Sequence, residues 1–218
     1  MDRILKIVLP ALPETLLMVA VASLFGLVFG LPLAILLYVS QKGSLKENQK
    51  LYSFLDGLIN IFRSLPFIVL IFILTPLTLL IAKKRIGLGA AMVPLSISAI
   101  PFLARLIEGN LNDVDLGIIE AAQAMGADTK TIVTKVLLRE ALSPIIASLT
   151  MTIIALVGQS AIVGSIGGGG LGDVALRYGY QRNEVDILWA ACLLIILIVQ
   201  VVQVSGNILV KKLDKRNK

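Results

Sequence analysis

Residues 120–144 read EAAQAMGADTKTIVTKVLLREALSP and form the one long polar interruption in an otherwise apolar chain. Gly126 predicts the end of a short helix, because glycine adopts the left-handed conformation of a helix C-terminus at little steric cost. Asp128 predicts the start of a second helix, because its carboxylate can accept hydrogen bonds from the free amides of the next turn. The segment is therefore predicted to be two short amphipathic helices that meet at a glycine, a shape suited to docking in a groove of another protein.

Each of the two helices carries an apolar face at helical spacing. In the first helix, Ile118, Ala122 and Met125 are predicted to share one side. In the second helix, four aliphatic side chains are predicted to form an apolar stripe: Ile132, Val133, Val136 and Leu137. The polar side chains of this helix largely face away from the stripe. A solvated loop with helical ends is the alternative interpretation of the whole segment.

The composition places the chain among membrane proteins. Of its 218 residues, 57% are hydrophobic and only 6% are aromatic, and the mean hydropathy is +0.91. That is far too apolar for a soluble domain of this length. Because only helices and closed barrels satisfy every backbone group in lipid, long apolar runs favour helices. We expect an all-α, polytopic membrane protein with one domain over residues 1–218, its core at about 14–210.

Five apolar runs are long enough to cross a bilayer, which needs about 20 residues. The predicted spans are 15–39, 58–81, 88–107, 145–166 and 187–209. In the first span Gly26 and Gly30 are four residues apart, a spacing that lets neighbouring helices approach closely. Pro66 and Pro76 predict a kink in the second span.

The basic residues predict the orientation of the chain in the membrane. They accumulate in the loop 41–50, in the segment 120–144 and in the tail 211–218, so these parts are predicted to be cytoplasmic and the N-terminus outside. The triplet Lys83-Lys84-Arg85 does not fit this rule, because the same topology places it outside. The net charge of +6 does not indicate a nucleic-acid partner, since the basic residues are scattered between apolar blocks.

The sequence offers little for catalysis or metal binding. It contains no histidine, a single cysteine (Cys192) and no P-loop, so no metal site or cofactor is predicted in this chain. GGGGLG at 167–172 formally fits the dinucleotide fingerprint but follows a membrane span, so a flexible or tightly packed turn is predicted instead. Any ATP that drives transport must be bound by another subunit.

Ionisable residues inside membrane spans would be functional candidates. Those nearest to the apolar runs fall close to predicted span ends; they are Asp56, Arg63, Arg105, Glu108 and Asp186. No carboxylate pair is predicted within the spans. This argues against an ion-coupled secondary transporter, which is the alternative from a different functional class.

The sequence GQSAIVG at 158–164, toward the outer end of the fourth span, is the candidate translocation path or gate. Its candidate residues are Gln159, Ser160, Ile162 and Val163. The hypothesis is that Ile162 from two subunits meets at an axis and forms an apolar plug. Ordinary helix packing by small residues is the alternative.

The polar segment resembles the cytoplasmic signature of ABC importer permeases, which is Glu-Ala-Ala, three residues, Gly, nine residues, an aliphatic residue, one residue and Leu. The matching residues are Glu120, Ala121, Ala122, Gly126, Val136 and Leu138. The resemblance implies a type I ABC importer permease fold, with a coupling segment at about 112–143 that docks in the cleft of an ATPase subunit. The implied ATPase-coupling residues are Glu120, Ala121, Ala122, Met125, Gly126, Ala127 and Asp128. The family usually has proline after the leucine; this chain has Arg139, so the second helix is predicted to run on toward Pro144.

Further segments look like the methionine branch of these permeases. They are NIFRSLPFIVL (60–70), VPLSISAIPFLAR (93–105), GGGGLG (167–172) and YGYQR (178–182). The resemblance implies uptake of D- or L-methionine by a homodimer in the bacterial cytoplasmic membrane. It also implies two ABC ATPase subunits that hold ATP and Mg²⁺, and an extracytoplasmic methionine-binding lipoprotein. A permease of the same fold for another amino acid or small organic solute is the alternative.

Overall fold

The structure, a computed structural model, describes residues 2–213, and its regular elements there are all helical. The predicted basic tail at 211–218 therefore lies mostly outside the described residues. The α-helices are α1 (Asp2–Val8), α2 (Ala11–Ser40), α3 (Gln49–Ser64), α4 (Phe67–Ile73), α5 (Thr75–Ala82), α6 (Leu88–Asn112), α7 (Leu116–Ala124), α8 (Thr129–Thr131), α9 (Leu138–Glu140), α10 (Leu142–Val163), α11 (Gly170–Val174) and α12 (Val185–Leu213). Two π-helical turns, Ile132–Leu137 and Ala175–Tyr180, join some of them, and a kinked segment, Gly164–Gly168, follows α10.

Four stretches of the described chain are long and apolar enough to cross a membrane: Arg3–Ser40, Leu88–Asn112, Leu142–Gly168 and Val185–Leu213. A fifth span results if the bent pair α3 and α4 is counted as one. The prediction of an all-α protein with about five spans is confirmed.

The second predicted span, 58–81, is not one kinked helix. The chain bends by 107° between α3 and α4, and it breaks again at Leu74 before α5. The cause of the first break is Pro66, which disfavours the helical conformation at the residue before it. Leu65 is accordingly extended, with φ −81° and ψ 129°. The predicted bend is present at Pro66, but it separates two helices instead of kinking one.

The tightest helix pair is α2 with α6, and glycines make its close approach possible. A Cβ atom at Gly26 would lie 3.0 Å from the Cβ of Ala99, and one at Gly30 would lie 3.0 Å from the carbonyl oxygen of Ile100. The backbone of α2 thus rests almost directly on α6, as the spacing of these glycines predicts. Around this pair, α10 packs against α2, α6 and α12.

The described residues have two opposite ends. At the first end, the loop after α2 meets the end of α6 through a hydrogen bond of 2.8 Å from Gln41 to Asn112. At the second end, the amide of Gly87 donates to the carbonyl of Gly167 at 3.0 Å, so the turn that carries the basic triplet adjoins the glycine-rich turn. The segment 120–144 follows α6 at the first end, opposite to the basic triplet.

Gly167–Gly170 forms a tightly packed turn, as one of the two sequence interpretations predicts. Gly167, Gly169 and Gly170 have positive φ angles of 95°, 85° and 78°. The stretch after this turn is mostly helical, because α11 and the π-helical turn Ala175–Tyr180 occupy it.

Candidate coupling site and translocation face

The polar segment 120–144 begins with α7, whose two ends are both capped. Asp115 accepts a hydrogen bond of 2.8 Å from the amide of Gly117 at the N-terminus. At the C-terminus Gly126 has a φ of 81°. Its amide donates to Gln123 at 2.9 Å, and the Ala127 amide donates to Ala122 at 3.1 Å. This pair of bonds is the glycine-terminated C-cap that the sequence predicts.

Asp128 begins the second helical stretch, as predicted. Its carboxylate accepts a hydrogen bond of 3.1 Å from the amide of Thr131. Hydrogen bonds from Thr131 hold the pKa of Asp128 below its usual value. The cap is therefore ionised at neutral pH and is lost only when the pH falls through this lowered pKa.

The second stretch is helical from Thr129 to Glu140, but its middle, Ile132–Leu137, is a π-helical turn. Ile132, Val133 and Leu137 are buried and Val136 is half-buried, so the predicted apolar stripe is confirmed. The stretch ends at Ala141, three residues before Pro144, and the next helix, α10, starts at Leu142. The predicted continuation to Pro144 is therefore interrupted.

The predicted face of the first helix was wrong. Ile118 is exposed and Met125 is 82% exposed, whereas Ile119 and Ala122 are each only 5% exposed. Ile119 and Ala122 pack in the same core cluster as Leu137 and the C-terminal halves of α2 and α6. Because this core lies on one side of α7, Ile119 is buried against it, whereas Met125 at the C-terminal end of the helix faces away from it.

The remaining coupling candidates form the outer surface of this turn. Glu120, Ala121, Gly126 and Asp128 are exposed, and Ala127 is half-buried. A groove between α7 and the loop after α2 borders Glu120. The structure therefore brings the candidates together as an exposed knob beside a groove, with only Ala122 anchored in the core. Their role in coupling stays a prediction.

The four candidate gate residues differ in how far they are buried. Ser160 and Val163 are buried, and Ser160 donates to the Val157 carbonyl at 2.7 Å. Gln159 is half-buried and accepts a hydrogen bond of 2.9 Å from Ser98. Ile162 is 39% exposed. Their role as a path or gate stays a prediction.

Ile162 belongs to a face of α10 that the protomer does not cover. The exposed residues of this face recur at helical spacing along α10 and into the following turn; they are Pro144, Met151, Gly158, Ile162 and Ile166. The opposite face of α10 packs against α2, α6 and α12. The exposed face is thus available to line a path or to meet a second copy.

A polar cluster around the buried Glu108 joins α3 to α6, and the sequence interpretation missed it. Glu108 is 2% exposed and accepts hydrogen bonds from Tyr52 at 3.3 Å and from Arg105 at 2.8 Å. Arg105 also pairs with Asp56 and donates to Asn60 at 3.1 Å. Since α6 continues to Asn112, Glu108 lies inside the helix and not at its end. The spacing of Arg105 and Glu108 by three residues was the available signal.

The fold and the site define a helical membrane protein that presents an exposed, capped helix–glycine–helix segment at one end. Residues 26–218 match the family described as the inner membrane component of binding-protein-dependent transport systems. The chain belongs to this family.

Individual relatives cover nearly the whole chain. The chain is 47% identical to the probable D-methionine transport system permease protein MetI of Vibrio cholerae, over 96% of this chain and 93% of the relative. It is 44% identical to the methionine import system permease protein MetP of Bacillus subtilis, over 83% and 82%. A solved structure of the MetNI methionine ABC transporter in an inward-facing conformation matches 99% of this chain and 100% of its own, with a TM-score of 0.96 and 40% identity.

Proposed function

We propose that this chain is the membrane-spanning permease subunit of an ATP-driven importer of methionine. The observation that carries the proposal is the capped and exposed coupling knob around Gly126, on a chain that is similar over nearly its full length to methionine permeases. The chain does not hydrolyse ATP itself in this proposal. ATP and Mg²⁺ are bound by a partner ATPase, since the sequence contains no P-loop.

The working assembly is a homodimer with one ATPase subunit below each knob. About five spans are few to enclose a path for an amino acid, and a two-fold axis doubles them. The face of α10 with Met151 and Ile162 is exposed in the protomer, which supports its placement at this axis. An extracytoplasmic methionine-binding lipoprotein delivers the substrate.

The knob converts ATPase closure into movement of the spans. Its exposed tip is Met125, a flexible apolar side chain that adapts to a groove. Its base is fixed, because Ile119 and Ala122 are buried and the segment lies directly between α6 and α10. A groove that draws the two knobs together therefore rotates α6 and α10 with them, which exposes the path alternately to the two sides. Ile162 from both copies closes the outer end when the spans come together.

The knob and the loop 41–50 are cytoplasmic in this proposal, and the N-terminus is outside. The hydrogen bond between Gln41 and Asn112 puts this loop and the base of the knob at the same end. That common end carries Lys42, Lys46 and Lys50, in agreement with the excess of positive charge on the inner side.

Reconstitution in liposomes tests the proposal. The permease, a methionine transporter ATPase and the methionine-binding lipoprotein should take up labelled methionine with ATP and without an ion gradient. Competition by each unlabelled enantiomer then measures the preference. Uptake that needs an ion gradient, or uptake by this chain without any ATPase, would refute the proposal. ATP-driven uptake of another solute but not of methionine would agree with an ATP-driven importer permease but would refute methionine as its substrate.

A further inference from the structure

The glycine-rich turn Gly167–Gly170 is held by the N-terminal helix. The amide of Gly170 donates to Oε2 of Glu14 at 2.7 Å, and the amide of Leu171 donates to Oγ1 of Thr15 at 2.8 Å. The two acceptors are consecutive residues in the first turns of α2, 156 residues away from their donors. Two adjacent side chains thus bind two adjacent amides at the start of α11, and we call this pair of bonds the N-terminal clasp.

Close packing leaves the turn no room to shift. A Cβ atom at Gly169 would lie 2.7 Å from Glu14 Oε2, and one at Gly170 would lie 2.6 Å from Thr15 Oγ1. On the other side, a Cβ atom at Gly172 would collide with the backbone of Ala161. The turn is therefore trapped between α2 and the last turn of α10, next to Ile162.

Charged side chains of both signs lie near the clasp. Asp173 in α11 is 4% exposed and forms an ion pair with Arg177. The pKa of Arg177 is raised, mainly by its hydrogen bond to Asp173. The negative charge of Glu14 also acts to raise it. Glu14 thus lies within the field of a cation at the outer end, in addition to its bond to Gly170.

We propose that Glu14 is a positioning residue for the outer end of the translocation path. Through the clasp it fixes the glycine-rich turn and, through that turn, the end of α10 that presents Ile162. Glu14 and Thr15 lie before residue 26, where the family match begins, whereas their donors Gly170 and Leu171 lie within it. The role of Ile162 rests on the proposed function, whereas the clasp itself rests only on the geometry.

Hydrogen exchange tests the clasp in the assembled transporter. Glu14→Ala should speed exchange of the amides in 166–174 by about tenfold or more, because a hydrogen bond to a charged acceptor is lost. Glu14→Gln keeps a neutral acceptor and should speed exchange less than Glu14→Ala does, by about fivefold at most. Thr15→Val should speed exchange at Leu171 and serves as a second variant if Glu14→Ala does not assemble. The matched control is Glu184→Ala, which removes an ion pair with Arg3 at the same end without touching the turn.

Cysteine labelling tests the effect on the gate without any substrate. Cys192 is the single cysteine, so Cys192→Ala gives a background in which Ile162→Cys can be labelled by a membrane-impermeant maleimide from outside. Adding Glu14→Ala should raise the labelling rate several-fold, and adding Glu14→Gln should largely restore it.

Unchanged exchange in both Glu14→Ala and Thr15→Val would overturn the clasp. Faster exchange with unchanged labelling would overturn the positioning role and leave only a structural one. Neither readout requires methionine transport, so a failure of the proposed function in the uptake experiment is distinguishable from a failure of this inference.

Discussion

Replacement of Gly126 by valine tests whether coupling depends on the backbone conformation of the knob, because it changes that conformation without adding a steric clash at the Cβ position. Gly126 has a φ of 81°, and a Cβ atom built there has no neighbour within 4 Å. Valine therefore meets no steric obstacle from the rest of the protomer. It meets only the backbone penalty, because a β-branched residue is a genuine outlier in the left-handed region.

That penalty has a magnitude that the structure lets us bound. A residue forced into a sparsely populated region costs about 1–3 kcal/mol. Since about 1.4 kcal/mol is a factor of ten in an equilibrium, the correctly formed turn should be depleted by about 5- to 150-fold relative to open forms. The two cap bonds, Gly126 to Gln123 and Ala127 to Ala122, are the local contacts that open. Gly126→Asn should reduce the population of the correctly formed turn far less, because asparagine tolerates the left-handed conformation.

The assay is ATP-driven methionine uptake together with ATPase activity in the presence and absence of the binding protein. Gly126→Val should give intact dimers in which uptake falls at least about fivefold and the ATPase no longer responds to the binding protein. Gly43→Val is the matched control, since Gly43 has a φ of 76°, no neighbour within 4 Å and a place in the loop beside the knob. Stimulated uptake in Gly126→Val, or an equal loss in Gly43→Val, would refute the assignment of Gly126 as the coupling turn.

Three other changes test the path, the helix packing and the buried cluster. Ile162→Ser should raise leakage of methionine without ATP, whereas Ile162→Leu should not; equal leakage in liposomes would end the plug hypothesis. Gly30→Val should destabilise the protomer by about 1–3 kcal/mol in thermal unfolding, because its side chain would meet the backbone of α6. Gly57→Val is its control, since a Cβ at Gly57 has no neighbour within 4 Å, and an equal loss there would contradict the packing argument. Arg105→Met should cost about 3 kcal/mol because it leaves Glu108 buried without its cation. The added change Glu108→Gln should recover part of that loss, and no recovery would contradict the charge explanation.

The local features of the coupling knob were predictable because each depends on one residue and its neighbours in the chain. Gly126 ends a helix and Asp128 starts one for reasons of backbone conformation and capping that need no tertiary partner. The face of α7 was not predictable in this way. Helical spacing allows either Ile118 or Ile119 to point inward, and only the core cluster beneath the helix decides for Ile119.

The number of spans was predictable from apolar length, but their shapes were not. The run 58–81 looks continuous because hydropathy does not register backbone angles, and the 107° bend depends on Leu65 being extended before Pro66. The buried cluster was missed for a related reason. Glu108 was placed near a span end by apolar length alone. Tyr52, which donates to Glu108, and Asp56, which pairs with Arg105, come from α3, a helix that only the fold brings alongside.

The direct contact of the α2 and α6 backbones has a mechanical consequence. At Gly26 and Gly30 no side chain of α2 separates the two backbones, so the two helices are in direct contact there. One end of α6 leads at Asn112 into the knob, and its other end at Leu88 follows the amide that binds Gly167. A tilt imposed on α6 at the knob should therefore also displace α2, and it would act along the 25-residue helix, about 37 Å, toward the glycine-rich turn.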